Sequence, residues 1–128
     1  MSDLKEILAA LSEEIRLRII VLLENSTLCV NCFIRVFDLP QSTVSRHLSV
    51  LRKSGLVKVT RGCTNNYYSI RTEEPFRRLK QQLIETYRQT LRDTEPFKSD
   101  LKKLYELKDE CTADCKIQIV RKRKEVGK

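Results

Sequence analysis

The cysteines are the residues of this sequence whose spacing most clearly suggests chemistry. Cys29 and Cys32 are three residues apart, and Cys111 and Cys115 are four apart. Two side chains at either spacing lie on the same side of a helix, where two thiolates can bind one soft ion or form a disulfide. Both pairs are therefore candidate metal or redox sites. The fifth cysteine, Cys63, has no partner at such a spacing.

The surroundings of each pair lead to different expectations. We interpret residues 28–37 as one short helix, and both thiols of the first pair lie off its apolar face, so we expect them to be accessible to solvent. That face consists of Val30, Phe33, Ile34 and Phe37. Cys111 continues the apolar row of Leu101 and Leu104 on a predicted final helix. A buried cysteine behaves as a small apolar residue, which is the alternative to a ligand role for this pair.

A catalytic arrangement is not visible in the sequence. His47 is the single histidine, so no Ser or Cys has a second histidine to serve as its base. A glycine-rich phosphate loop is also absent from a chain with only 3 glycines. We therefore expect a binding protein and not an enzyme.

A second group of polar residues opens a predicted helix over 41–54. The group consists of Gln41, Ser42, Thr43, Ser45, Arg46 and His47. Arginine can bind guanine through two hydrogen bonds, glutamine can do the same with adenine, and hydroxyl groups suit bases or phosphates. The opposite side of this helix is apolar, with Val44 and Leu48. This division is what a helix inserted in the DNA major groove requires, although an amphipathic helix that only meets water shows it too.

The elements around this helix predict how it is placed. Helices are predicted over 3–11, 13–25 (capped by Ser12), 28–37, 41–54, 75–92 (capped by Thr72) and from 97 to about 116. Pro40 marks a turn before the polar helix, and Gly55 is its expected C-terminal cap. Two alternating segments, 56–61 and 65–70, form a hairpin that carries Arg61 beside its tip, where a phosphate contact is natural. The prediction is a mainly α (α+β) winged helix-turn-helix with a two-stranded β-hairpin wing and an extra C-terminal helix.

The distribution of charge supports an anionic partner. The chain has 128 residues and a net charge of +8. Residues 35–63 carry six Lys/Arg against one Asp/Glu, and residues 116–128 carry six against one. Clustered positive charge in a middle segment indicates a polyanion surface. The sequence shows neither a signal peptide nor an apolar run of membrane-spanning length, so we expect a cytoplasmic protein with no membrane partner. In that compartment we expect the cysteines to be reduced thiols, metal ligands or redox sensors and not structural disulfides.

One region resembles a known family. The stretch LPQSTVSRHLSVLRKSGLVKVTRG, followed by NNYYSI, looks like the ArsR/SmtB metalloregulatory repressors, and the resemblance extends over roughly residues 3–92. It implies a homodimeric repressor that leaves double-stranded operator DNA when an inducer binds, with the dimer built from 3–11 and 75–92. It also implies DNA contacts by Gln41, Ser42, Ser45 and Arg46. We accordingly divide the chain into a DNA-binding and dimerisation domain (1–92) and a helical extension with a basic tail (93–128).

The resemblance narrows the set of possible inducers without identifying one of them. Leu28-Cys29-Val30 matches the opening of the arsenic-responsive pattern Leu-Cys-Val-Cys-Asp-Leu-Cys. Asn31 and Ile34 stand where that pattern has cysteines, so its three-thiolate site is incomplete. A thiol site favours As(III) or Sb(III), or else Cd(II) or Pb(II), while the lack of histidine in 75–92 argues against zinc sensing there. Two alternatives are a repressor that responds to thiol oxidation or sulfide and a structural zinc module of Cys29, Cys32, Cys111 and Cys115.

Overall fold

The computed structural model describes residues 2–23, 26–62 and 65–107, and within them it forms a helical domain with a small sheet. The elements, in chain order, are α1 (Ser2–Ala10), α2 (Glu14–Leu22), β1 (Leu28–Cys29), α3 (Val30–Phe37), α4 (Gln41–Ser54), β2 (Val57–Arg61), β3 (Asn66–Ile70), α5 (Arg77–Leu91) and α6 (Phe97–Leu107). Helices α3 and α4 with the β2–β3 hairpin are a winged helix-turn-helix. The predicted fold class is confirmed.

The turn between α3 and α4 forms where the sequence predicts it. Asp38 ends α3 in the left-handed conformation (φ 55°), and its N–H donates to Ile34 O over 2.8 Å. Pro40 then precedes α4, and its carbonyl accepts from the N–H groups of Thr43 and Val44. A proline before the first helical residue sacrifices no helical hydrogen bond, because the first N–H groups of a helix have no partner within it.

The C-terminal end of α4 is closed by Gly55, as predicted. Its φ is +85°, a conformation that a side chain strains, and its N–H donates to Arg52 O. The N–H of Leu56 reaches back to Leu51 O over 3.2 Å. The chain thus leaves the helix in a fixed direction and enters β2 directly, which places the wing beside α4.

Within the described residues, the sheet has three strands in the order β1-β3-β2, where the sequence predicts two. Leu28 pairs with Tyr68 and Cys29 with Tyr67, so these residues belong to a strand and α3 begins at Val30. The expectation of one helix over 28–37 was wrong at its first two residues. Their backbone groups form hydrogen bonds with the edge of β3, whose N–H and C=O groups would otherwise be unpaired there.

Two predicted helix caps are also wrong. Ser12 does not begin α2; its hydroxyl donates to Ala9 O over 2.6 Å and so closes the end of α1. Thr72 does not cap α5, which begins at Arg77 after Phe76 in the left-handed conformation (φ 63°). Both hydroxyls precede an apolar run, which is why the sequence predicts them as helix caps. Ser12 instead bonds the end of α1. Thr72 is separated from the start of α5 by a longer connection than predicted.

Helix α6 packs against α2 and α3 and belongs to the same core as the winged elements. Leu104 of α6 lies in one buried cluster with Ile20 of α2 and Phe33 of α3. Of the helices that the structure describes, none is long and apolar enough to cross a membrane. The predicted domain boundary between residues 92 and 93 stays a prediction. The predicted continuation of the final helix to about residue 116 lies outside the described residues.

Candidate DNA interface and thiol pair

The first half of α4 presents polar side chains outward. Gln41, Ser42, Ser45 and Arg46 are exposed, and Thr43 is half-buried. Val44, Leu48 and Leu51 on the other side are at most 1% exposed and hold the helix in the core. Burial of the apolar row therefore determines which polar residues face outward, because the two sets alternate at helical spacing.

A groove of about 420 Å³ separates the start of α4 from the wing. Its lining includes Gln41 and Ser45 of α4 and Arg61 at the end of β2. Three residues that the sequence assigns to DNA contact therefore surround one surface depression, although 16 or more positions separate the helical residues from the arginine. The wing and the helix can contact the same duplex.

The groove also has polar residues that the sequence analysis did not assign to the site. Asn65, Asn66 and Tyr68 line it. Asparagine is a common turn residue, so two asparagines beside a hairpin tip do not by themselves indicate a binding role. The structure places these amides beside Arg61 in the groove, which the sequence does not reveal. An amide in this position can donate to a phosphate or to a base edge.

A close approach at the wing tip requires glycine at position 62. A Cβ placed there would lie 2.0 Å from Cε2 of Tyr67, and the N–H of Gly62 donates to Asn65 O over 2.8 Å. Tyr67 is 4% exposed, so a shift of its ring would disturb the packing around it. The buried ring fixes the path of the backbone that follows Arg61.

His47 differs from the other polar residues of α4, because it is 8% exposed and lies against α2. Its Nδ1 is 3.1 Å from Nη1 of Arg16. Burial, together with the positive charges of Arg16 and Arg46, lowers the pKa of His47, while Glu13 opposes this change. The sequence places His47 among the residues that reach DNA, but the structure directs it toward the interior.

The expectation that Cys29 and Cys32 are accessible is wrong. Cys29 is 0% exposed on β1, and Cys32 is 1% exposed on the inner side of α3. Pairing of β1 with β3 covers the first thiol, while the inner face of α3 includes Cys32 along with Phe33 and Val36. The two Sγ atoms nevertheless lie 3.8 Å apart, so the predicted pairing in space holds.

Cys29 is also disulfide-bonded in this structure. The 3.8 Å separation from Cys32 Sγ exceeds a disulfide bond of about 2.0 Å, so Cys32 is not its bonding partner. The candidate ligands Cys111 and Cys115 lie outside the described residues, as does Cys63. Within residues 2–23, 26–62 and 65–107, no three His, Cys, Asp or Glu side chains are grouped so that they could hold a metal ion.

Comparison with known proteins agrees with this architecture. Residues 13–59 match the family model described as bacterial regulatory protein, arsR family. An HTH-type transcriptional regulator of Methanocaldococcus jannaschii is 42% identical over 66 residues, which are 51% of this chain and 74% of that protein. The residues matched by the family model include α2, α3 and α4, the elements that build the helix-turn-helix.

Solved structures extend the likeness to about two thirds of the chain. The transcriptional repressor PagR of Bacillus anthracis is 32% identical, with a TM-score of 0.54 over 66% of this chain and 92% of its own. The homodimeric winged helix-turn-helix DNA-binding domain of Mb0332 from Mycobacterium bovis is 26% identical, with a TM-score of 0.57 over 73% of this chain and 86% of its own. The helix-turn-helix, the wing and the similarity to these relatives are the evidence for its family. The chain belongs to the arsR family of bacterial regulatory proteins.

Proposed function

We propose that the protein is a cytoplasmic transcriptional repressor that binds operator DNA with α4 in the major groove and the wing against the backbone. The observation that supports it most directly is the groove shared by Gln41, Ser45 and Arg61. An exposed polar helix face and an arginine-bearing hairpin on one side of the domain suit a duplex. The six Lys/Arg of residues 35–63 add a positive field there.

The exposed side chains divide into two kinds of contact. Arg46 and Gln41 are suited to guanine and adenine edges, which they can bind through paired hydrogen bonds. Short hydroxyl side chains can contact phosphates or bases where the helix enters the groove, and α4 has them at Ser42, Thr43 and Ser45. Arg61 is suited to a phosphate, which orients the protein without reading sequence.

The repressor acts as a homodimer in this proposal. Leu8 on α1 is 54% exposed, and several apolar residues of α5 are only half-buried in one chain. A closed two-fold dimer would cover them and present two α4 helices to a palindromic operator. The Mycobacterium bovis relative is a homodimeric winged domain, which supports the same assembly here.

Two experiments test DNA binding and dimerisation. Selection from a random duplex library by the purified chain should return a palindrome whose half-sites are separated by about one helical turn. Analytical ultracentrifugation should show a dimer at micromolar concentration. Failure to enrich any sequence, or a monomer that binds its site tightly, contradicts the proposal.

A thiophilic ion, As(III) or Sb(III), is the proposed inducer, with Cys29 and Cys32 as two of its ligands. The two Sγ atoms lie 3.8 Å apart, which is close enough for both thiolates to bind one soft ion after a small adjustment. In the reduced protein, the pair therefore suits one ion, and a third thiolate would come from Cys111 or Cys115. Cd(II) and Pb(II) are the alternative ions for the same ligands.

A thiol-redox repressor is the second candidate, and the disulfide of Cys29 favours it. Two thiols that form a disulfide release two protons and pass two electrons to an oxidant, such as a peroxide or a persulfide. The new bond would tie β1 and the start of α3 to another part of the chain. Because α3 leads directly into α4, this change can move the DNA-reading helix without any metal.

A side-by-side titration separates the two inducers. The reduced protein on its operator is exposed to As(III), Sb(III), Cd(II), Pb(II), Zn(II) and hydrogen peroxide, and release is followed by fluorescence anisotropy. Release by As(III) or Sb(III) under reducing conditions supports the metalloid inducer. Release by peroxide alone, reversed by dithiothreitol, supports the redox repressor. Zinc that remains bound through purification would instead indicate a structural zinc module.

A further inference from the structure

Arg16 is bonded to the end of one helix and faces another. Its Nε donates to Ala10 O over 2.6 Å, and its Nη2 donates to Ala9 O over 3.2 Å. These carbonyls belong to the last turn of α1, where carbonyl groups have no partner within the helix and a cation is favourable. The guanidinium is thus held against α1 while its third nitrogen, Nη1, faces His47 of α4.

The contact between Arg16 and His47 determines where the imidazole carries its proton. A guanidinium only donates hydrogen bonds, so Nδ1 of His47 must accept the one of 3.1 Å from Nη1. The neutral ring then carries its proton on Nε2. A protonated ring would have no acceptor and would place a second positive charge against Arg16.

This contact adds a directional restraint to the apolar packing of α4. Burial of Val44, Leu48 and Leu51 determines which side of the helix faces outward. The hydrogen bond to His47 limits the rotation about the helix axis more closely, because it depends on the direction of the imidazole. Side-chain tips lie about 5–6 Å from that axis, so a rotation of roughly 20° moves them by about 2 Å. Such a shift breaks a base contact, since hydrogen bonds tolerate only a few tenths of an ångström.

We propose that Arg16 and His47 are a positioning pair for DNA reading: Arg16, held by the end of α1, fixes the rotation of α4 through Nδ1 of His47. The side chain of Arg46, next to His47 in the chain, thereby keeps its direction toward the duplex. Neither member of the pair touches DNA. The inference rests on the proposed function, in which α4 is the DNA-reading helix.

The test uses amide substitutions at His47 that place an acceptor at one or the other ring nitrogen. The amide oxygen of Asn lies near the position of Nδ1, and that of Gln lies near the position of Nε2. His47→Asn should keep operator affinity within about twofold of the parent. His47→Gln and Arg16→Gln should each weaken operator binding about tenfold, which corresponds to about 1.4 kcal/mol, while binding to random duplex changes less than twofold.

A double substitution and a matched control isolate the pair. Arg16→Gln combined with His47→Gln should cost no more operator affinity than either change by itself, since both remove the same contact. Arg18→Gln is the control: it removes the same charge from the same helix, but Arg18 bonds Asp100 of α6 and not α4. It should lower stability while the ratio of operator to random-duplex affinity stays at the parent value.

The imidazole gives a readout that a merely structural role would not change. His47 is the single histidine of the chain, so its ring nitrogens are assigned in a ¹⁵N NMR spectrum without ambiguity. At pH 7.5 the parent and Arg18→Gln should show a protonated Nε2 and an unprotonated Nδ1. Arg16→Gln should shift the ring toward a mixture of tautomers.

Three results would overturn the inference. They are an unchanged operator-to-random ratio in Arg16→Gln, a loss in His47→Asn equal to that in His47→Gln, and a proton on Nδ1 in the parent. Weakening by every His47 variant but not by Arg16→Gln would mean that His47 contacts DNA itself. If the parent selects no operator at all, the proposed function fails first, and the NMR spectrum still tests the contact.

Discussion

Arg18 and Asp100 join α2 to α6 through two parallel hydrogen bonds. Nε of the arginine donates to Oδ2 over 2.6 Å, and Nη2 donates to Oδ1 over 2.7 Å. The guanidinium also lies 4.7 Å from the ring centroid of Phe37, at the end of α3. Lys103 of α6 donates to Val36 O over 3.4 Å. The helix that follows the winged domain is therefore bonded to both helices that support the DNA-reading turn.

Replacing Asp100 by asparagine should destabilise the protein. The side chain of Asp100 is 4% exposed, and that of Arg18 is 17% exposed, so the change leaves a largely buried guanidinium without its counter-charge. We expect the free energy of unfolding in urea to fall by about 3 kcal/mol. Glu106→Gln, an exposed carboxylate of the same helix, is the control and should change stability by less than about 0.5 kcal/mol. Equal stability of Asp100→Asn and the parent would contradict this account of α6.

Gly62→Ala should disturb the wing. The new Cβ would meet the buried ring of Tyr67 at 2.0 Å, so ring or backbone must shift. We expect a loss of about 1–3 kcal/mol in unfolding free energy, together with weaker DNA binding because the backbone beside Arg61 moves. Thr60→Ala, at an exposed position of β2, serves as the control. A stable Gly62→Ala protein with parental DNA affinity would show that the tip adapts.

Arg46 and Arg61 should affect DNA binding in different ways. Arg46→Ala should weaken specific binding by about 1–3 kcal/mol and relax the preference at one base pair. Arg61→Ala should weaken binding to all sequences similarly and reduce the salt slope by about one unit. Affinities for operator and random duplex, measured across a salt series, distinguish the two. An unchanged operator affinity in Arg46→Ala would argue against α4 as the reading helix.

His47 should make stability depend on pH. Burial and the neighbouring arginines lower the pKa of His47 in the folded protein, whereas in the unfolded chain it is near 6.5. Above that pH both states are neutral, and the residue adds no pH dependence. As the pH falls below about 6.5, the unfolded chain takes up a proton that the folded one resists, so the free energy of unfolding decreases by up to about 1.4 kcal/mol per unit. Urea titrations between pH 7.5 and 5.5 should show this decrease in the parent relative to His47→Asn, and parallel profiles would disprove it.

The two cysteine pairs should differ in their effect on induction. We expect the Cys29→Ser/Cys32→Ser protein to bind operator but to lose its response to As(III), while Cys111→Ser/Cys115→Ser retains part of it. Because both members of the first pair are buried, a hydroxyl there costs about 1–3 kcal/mol, and alanine replacements should accompany the serines. A parental response in the first protein and none in the second would place the site at the second pair. Parental responses in both would remove the basis for a thiolate sensor.

The sequence by itself determined the order of the elements and which side of α4 faces outward. Proline before the helix, glycine after it and an apolar row at helical spacing are local signals, and each acts within a few residues. They were sufficient to predict the winged fold, the ends of α4 and the exposed positions of Gln41, Ser45 and Arg46. The predicted roles of these residues in DNA binding remain to be measured.

Only the tertiary structure decided what depends on partners distant in sequence. Residues 28 and 29 became a strand because β3, about 40 positions later, offers backbone groups that a helix would leave unpaired. That pairing buried Cys29, whose neighbours in the chain suggested an exposed helical position. His47 lies three residues after Val44 and four before Leu51, so helical spacing puts it beside the buried row. Only the structure shows that Arg16, 31 residues earlier, is its hydrogen-bond partner there. Hydrogen-bond partners between segments are set by packing, and periodicity within one segment carries no information about them.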